Sequence, residues 1–145
     1  EILRRLKMPL KEIEAIAYCV GNHMRYVNVP AMRKSTVRQL VGAPTFPDEL
    51  ELHRLDCLCS HGDISNYDFL IRFVEELKNE PVLPPPWVRG GDILALGIPH
   101  GPQVGVWHKK AYEAQLENRF PDRESLLEWL RQGIANEDGV SPDQS

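Results

Sequence analysis

The chain has no apolar run approaching the roughly 20 residues that a membrane-crossing helix needs, so no span is expected. It opens on Glu1-Ile2-Leu3-Arg4-Arg5, with neither an initiator Met nor the apolar stretch of a secretory signal. An opening already in helical rhythm is expected of an excerpt from a longer protein. Cysteine is scarce: Cys19, Cys57 and Cys59 are an odd number, with no C-x-x-C pair. That disfavours a disulfide framework or a zinc site, and fits buried structural thiols in a reducing cytoplasm. The chain lacks a Gly-rich phosphate loop, an Asp-x-Asp pair that could hold two catalytic metals, and a nucleophile triad. Strand-like alternation, internal repeats and low-complexity runs are also missing.

What is present is an ordinary soluble composition, 42% hydrophobic and 26% charged, over 145 residues. That length suffices for one compact domain or two small helical lobes. The net charge of -4 hides an asymmetry. Residues 1–41 carry eight Lys/Arg against three Glu, a net of +5, which leaves -9 on residues 42–145. A basic segment on an acidic body can mark a polyanion path, or it can be a solvated helix face.

The apolar pattern is helical throughout, and the expected fold is all-α. Leu10, Ile13, Ile16, Ala17 and Val20 recur at helical spacing, with Gly21-Asn22 as a stop. Ser35 or Thr36 can cap a short helix carrying Val37 and Leu40. Pro47-Asp48-Glu49 puts a proline and acids in the first turn of a helix that His61-Gly62 closes. Asn66 opens another through Leu77. Pro81-Val-Leu-Pro84-Pro85-Pro86 cannot be helical and reads as a rigid connector between two lobes. Beyond it come a short helix ended by Gly97, a longer one from Pro102 to about Asn118, and a last one capped by Asp122. The boundaries expected are a helical first lobe over 1–80, a helical second lobe over 81–132, and a disordered end over 133–145.

Three segments can carry chemistry. In Gly90–Gly105 two helices meet across a Gly/Pro turn, and the bare start of the second at Pro102 can receive an anion on its amides and dipole. Gly101 admits a sugar-phosphate backbone, and Lys109 and Lys110 lie two turns on. The alternative is a corner that serves packing alone. In His53-Arg-Leu-Asp56, His53 and Asp56 share a helix face, either as a structural polar pair or as the start of a metal-dependent phosphohydrolase site; the adjacent His-Asp pair such enzymes use is absent. In Asn22–Arg38, basic residues interleave with Tyr26 and hydroxyls, which suits a nucleic-acid backbone or a surface turn. Trp87, Trp107 and Trp129 read as core anchors. A helical protein-interaction module remains a further alternative.

Asn22-His23-Met24-Arg25-Tyr26, Met32-Arg-Lys-Ser-Thr-Val-Arg38 and Glu51-Leu-His53-Arg-Leu-Asp56-Cys-Leu-Cys-Ser60-His61-Gly62, in that order, resemble the body of a bacterial CCA-adding enzyme, a tRNA nucleotidyltransferase of the poly(A) polymerase family. Pro84-Pro-Pro-Trp-Val-Arg-Gly90-Gly-Asp92, Gly97-Ile-Pro-His-Gly101-Pro102-Gln-Val-Gly105, Ala111-Tyr-Glu-Ala-Gln-Leu116 and Leu126-Leu-Glu-Trp129-Leu130 resemble its RNA-binding tail, so that the likeness covers about residues 20–132. The resemblance implies a class II enzyme in which head, neck, body and tail follow one another. Its head transfers CMP and AMP from CTP and ATP with magnesium held on carboxylates. Its neck selects the base, and body and tail grip the acceptor–TΨC arm of tRNA. The head's Gly-Ser loop and Asp-x-Asp pair are missing here, so no catalytic residue, metal or cofactor is expected in this segment, and Mg2+ and CTP/ATP are implied for the head. The implied partners are tRNA or another RNA and the head and neck of the same chain, in the cytoplasm and away from membranes. The RNA-facing residues expected are Gly97, His100, Gly101 and Gly105, with Lys109, Lys110, Arg89, Arg33, Lys34 and Arg38.

Overall fold

The computed structural model describes residues 2–138. All regular structure among them is helical, and the fold is all-α. The helices are α1 (Ile2–Arg5), α2 (Leu10–Asn22), α3 (Lys34–Val41), α4 (Phe46–Ser60), α5 (Ser65–Glu76), α6 (Gly90–Ala95), α7 (Pro102–Leu116) and α8 (Arg123–Asp138). Two 3-10 turns, His23–Tyr26 and Val29–Ala31, follow α2. None of these helices is long and apolar enough to cross a membrane.

The chain forms two compact units. One comprises the residues up to Met32 together with Val37–Val82; the other comprises Arg33–Thr36 and the chain from Leu83. In the first unit, Tyr26, Val29, Val37, Leu40, Val41, Phe46, Leu50 and Leu70 make the core. Each such burial contributes roughly 1.5–3 kcal/mol. In the second, Val88, Ile93, Trp107, Ala111, Ala114, Leu126, Leu130 and Ile134 pack together.

Some helix ends match expectation and others depart from it. α2 does end at Asn22, at the expected Gly21-Asn22 stop, with Gly21 itself still helical. The Ser35 hydroxyl caps nothing. It lies inside α3, 1% exposed, and donates to Glu117 Oε1 at 2.8 Å. Glycine does close α4: Gly62 adopts φ +76° and its amide donates back to the Cys57 carbonyl at 2.8 Å. Asp122 caps α8 as expected, its Oδ1 accepting from the Ser125 amide at 2.7 Å. That helix continues beyond Gly133 to Asp138, because Ile134 is buried in the second core. The disorder expected from 133 is therefore corrected over 133–138, and the rest of that expectation falls outside the described residues.

The proline run creates carbonyls with few local donors. Side chains supply them. In the first unit Arg38 Nε and Nη2 donate to the Val82 and Pro81 carbonyls at 2.9 and 2.6 Å. In the second, Tyr112 Oη donates to Pro84 O at 2.9 Å, and Gln115 Nε2 to Pro85 O at 3.0 Å, while Gln115 Oε1 accepts from the Trp87 amide at 2.9 Å. Burial of Gln115, 4% exposed, follows from those bonds.

Candidate nucleic-acid interface

The α6–α7 junction is built by Asp92. Its Oδ2 accepts from the Arg89 amide at 2.8 Å and starts α6, while Arg123 Nη2 lies 2.7 Å from Oδ1. Arg123 Nε also donates to Trp87 O at 3.0 Å, so α8 holds the start of α6 in place. α6 ends at Gly97, φ +101°, and α7 begins at Gly101, φ +153°. Both angles lie where side chains are strained, so these glycines are demanded by the turn itself. Between them Ile98 packs on the core and His100 is exposed.

Gly105 is different. Its backbone is ordinary helix, no neighbouring atom lies within 4 Å of where its Cβ would stand, and it is exposed. Glycine inside a helix costs roughly 0.5–1 kcal/mol relative to alanine. Neither turn geometry nor packing in this unit accounts for it. The start of α7 is also bare: Gly101 is the cap, Pro102 occupies the first turn, and no side chain caps the helix. Lys109, four residues past Gly105 and therefore on its face, has a side chain 76% exposed with Nζ 4.0 Å from Glu113 Oε1. The junction thus presents bare backbone and a helix dipole, with one exposed cation two turns along α7.

The other expected residues divide. Arg89 and Lys34 are exposed. Arg33 is exposed but sits 3.4 Å from Glu113 Oε2. Lys110 is half-buried, its ammonium 4.0 Å above the Trp107 ring. Arg38 is a correction: it is 2% exposed, and its guanidinium is spent on Pro81, Val82 and, at 3.3 Å, Glu80. A cation so enclosed cannot reach a phosphate.

His53 and Asp56 do share a helix face, but among the described residues no hydrogen bond joins them. His53, 5% exposed, packs against the Tyr26 ring at 5.4 Å and the Cys57 sulfur at 3.6 Å, whereas Asp56 is exposed. Burial lowers the His53 pKa below its usual 6.5, ahead of the opposing pull of Asp56. The folded state therefore disfavours protonation: its contribution is complete above pH 6.5 and is lost as pH falls through the depressed folded value. His53→Gln should flatten the acid limb of a stability-versus-pH curve in that window, measured by urea unfolding at several pH values. An unchanged acid limb would show that His53 does not set it. Cys57 is buried, which raises its thiol pKa, but Cys19 is only half-buried and Cys59 exposed, which corrects the expectation of buried thiols throughout.

Sequence reasoning missed two features. One is Glu49, read from sequence only as an acid in the first turn of α4 and found 0% exposed. The Tyr26 hydroxyl donates to its Oε2 at 3.2 Å, and Arg25 Nη2 lies 2.7 Å from the same oxygen. The other is a cleft in the second unit, about 360 Å3, lined by Trp107, Trp129, Lys110, Arg119, Glu113 and Glu117 among others. Its sequence signal is Asn118, in the left-handed region at φ +53°, which ends α7 as asparagine often does. The Arg119 amide then returns to Ala114 O at 3.2 Å, and its guanidinium stands 5.1 Å from the Trp129 ring.

No family model matches the chain, and no solved structure does. Two curated proteins are similar. The CC-adding tRNA nucleotidyltransferase of Thermus thermophilus is 32% identical over 145 aligned positions, which cover 95% of this chain and 32% of that protein. The A-adding tRNA nucleotidyltransferase of Deinococcus radiodurans is 30% identical over 125 positions, 79% of this chain and 28% of that protein. The chain thus spans about a third of the length of the curated relatives it matches. With an all-helical fold and this likeness along most of its length, the chain is related to the tRNA nucleotidyltransferases.

Proposed function

We propose that this chain is the RNA-docking portion of a tRNA nucleotidyltransferase, gripping the acceptor–TΨC arm of tRNA by its sugar-phosphate backbone. The observation that carries the reading is Gly105: a helix-interior glycine that its own fold does not require, between an uncapped helix start and an exposed lysine. A side chain there would hold a polyanion away from the backbone. A surface of this kind reads A-form shape and phosphates more than sequence. Both relatives carry tRNA in their names, while one adds CC and the other A; a grip on the shared arm serves either addition.

Nucleotidyl transfer itself is assigned to a catalytic head in the same protein, with Mg2+ and CTP or ATP. Among the described residues no group of three or more His, Cys, Asp or Glu is placed to hold a metal ion, and the docking role needs none. The same observation, with His53 buried on Tyr26, removes support from a metal-dependent phosphohydrolase.

The test is binding of a tRNA acceptor–TΨC minihelix at several salt concentrations. Gly105→Ala should raise stability by about 0.5–1 kcal/mol and yet weaken RNA binding. Gly105→Leu should weaken it about tenfold. Lys109→Ala should lower affinity and reduce the salt slope by about 0.9, one phosphate contact. Wild-type affinity and slope in the Gly105 and Lys109 variants would overturn the assignment.

A further inference from the structure

The cleft of the second unit has a composition the backbone grip does not use. Two tryptophans form part of its walls. Trp107 is 3% exposed and held at its edge by Gly133, where an added Cβ would stand 3.0 Å from the indole. Trp129 is half-buried, with its ring 5.5 Å from Phe120. Each indole carries a cation: Lys110 over Trp107 at 4.0 Å and Arg119 beside Trp129 at 5.1 Å. Glu113 and Glu117 lie on the same lining, and Arg33 completes the positive side. Glu117 is oriented by the Ser35 hydroxyl at 2.8 Å, and Glu113 by Arg33 at 3.4 Å.

One half-buried indole, Trp129, with the exposed Arg119 guanidinium beside it, and fixed carboxylates on the same lining, match the parts of a nucleotide. A guanidinium plane or an indole can stack a base. The exposed guanidinium groups of Arg33 and Arg119 can meet a phosphate. The carboxylates only accept, and so favour a base edge that donates through an amino group. A volume of about 360 Å3 falls within the ordinary range for small-molecule sites. We infer that this cleft receives one unstacked nucleotide of an RNA strand, with adenine, cytosine or guanine preferred over uracil, which has no amino group. The inference rests on the proposed RNA-docking role for its biological meaning, but the site is separate from the Gly101–Lys109 junction and is tested without it.

The test is titration of the whole chain with AMP, CMP, GMP, UMP and inorganic phosphate, reading the indole N–H signals of Trp107 and Trp129 by NMR. The three amino-bearing nucleotides should move both indole signals and saturate in the millimolar range. UMP should bind at least about threefold more weakly. Arg119→Ala should weaken AMP about fivefold while leaving the rest of the spectrum in place, and Glu113→Gln with Glu117→Gln should remove the preference over UMP. Phosphate moving the indoles as far as AMP does would overturn the base site, as would equal affinity for UMP or unshifted indoles at 10-fold higher nucleotide. Because mononucleotides do not span the junction, a minihelix that fails to bind and a cleft that fails to bind give different results.

Discussion

Glu49→Ala should cost the first unit about 3 kcal/mol, because it removes one side of a buried pair and leaves the other. Glu49 is 0% exposed in the first turn of α4; Arg25 retains 26% of its side-chain exposure and Tyr26 none. With the carboxylate gone, the Tyr26 hydroxyl loses its acceptor and the Arg25 guanidinium its counter-charge, next to a core that offers neither. Burial pushes the Tyr26 hydroxyl up to about 12, so it remains a donor across the ordinary pH range. Even the intact cluster is incompletely satisfied. Glu49 Oε1 and Arg25 Nε find no hydrogen-bond partner among the described residues. The triple replacement Arg25→Met, Tyr26→Phe and Glu49→Leu should therefore recover most of what the single change loses. Urea unfolding measures both. A Glu49→Ala loss under about 1 kcal/mol would mean that the pair behaves as a surface ion pair.

This cluster also shows where sequence reading stops. An acid three residues into a helix, after a proline, is normally a solvated group favouring the dipole. Glu49 fits that description in every local respect. Its burial is set by the 3-10 turn His23–Tyr26, which brings Tyr26 and Arg25 against α4. No pattern within α4 announces a partner more than twenty residues upstream. The all-α class was legible because apolar spacing repeats in each segment, and the α6 and α7 boundaries because glycine and proline mark them. Ends governed by packing were not: α8 outlasts Gly133 because Ile134 has a core to enter.

The candidate surface was legible in part, for a physical reason. Gly97 is read from sequence as a helix stop and Gly101 as part of a Gly/Pro turn, and the structure gives both a positive φ. Glycines of the turn do not by themselves argue for a ligand, since the fold uses them. Gly105 gained its weight only when the structure showed open space around it. The cations divided by tertiary context. Lys109 stays exposed, whereas Lys110, its neighbour in sequence, lies over Trp107. Successive helix positions point about 100° apart, so adjacent lysines need not face the same ligand.

Arg38→Ala should lower stability by about 3 kcal/mol and leave the salt slope of RNA binding unchanged. The side chain is 2% exposed in the core between α3 and the end of the first unit. Its donors serve three acceptors in consecutive residues, Glu80, Pro81 and Val82. Alanine removes the alkyl packing and leaves those carbonyls to solvent or to nothing. Arg38→Lys should recover less than half, because an ammonium cannot present the planar fork that reaches Pro81 O and Val82 O together. Amide exchange at Val82 and Leu83 should quicken in both variants. A phosphate-binding Arg38 predicts the reverse: near-normal stability, a shallower salt slope, and good rescue by lysine, since either cation neutralises a phosphate. Arg38 lies in the basic run Arg33-Lys34-Ser35-Thr36-Val37-Arg38, which in sequence looks like one polyanion-facing strip. Arg38 lies one turn beyond Lys34 on the same helix face, and it is the carbonyls of the proline segment that withdraw it.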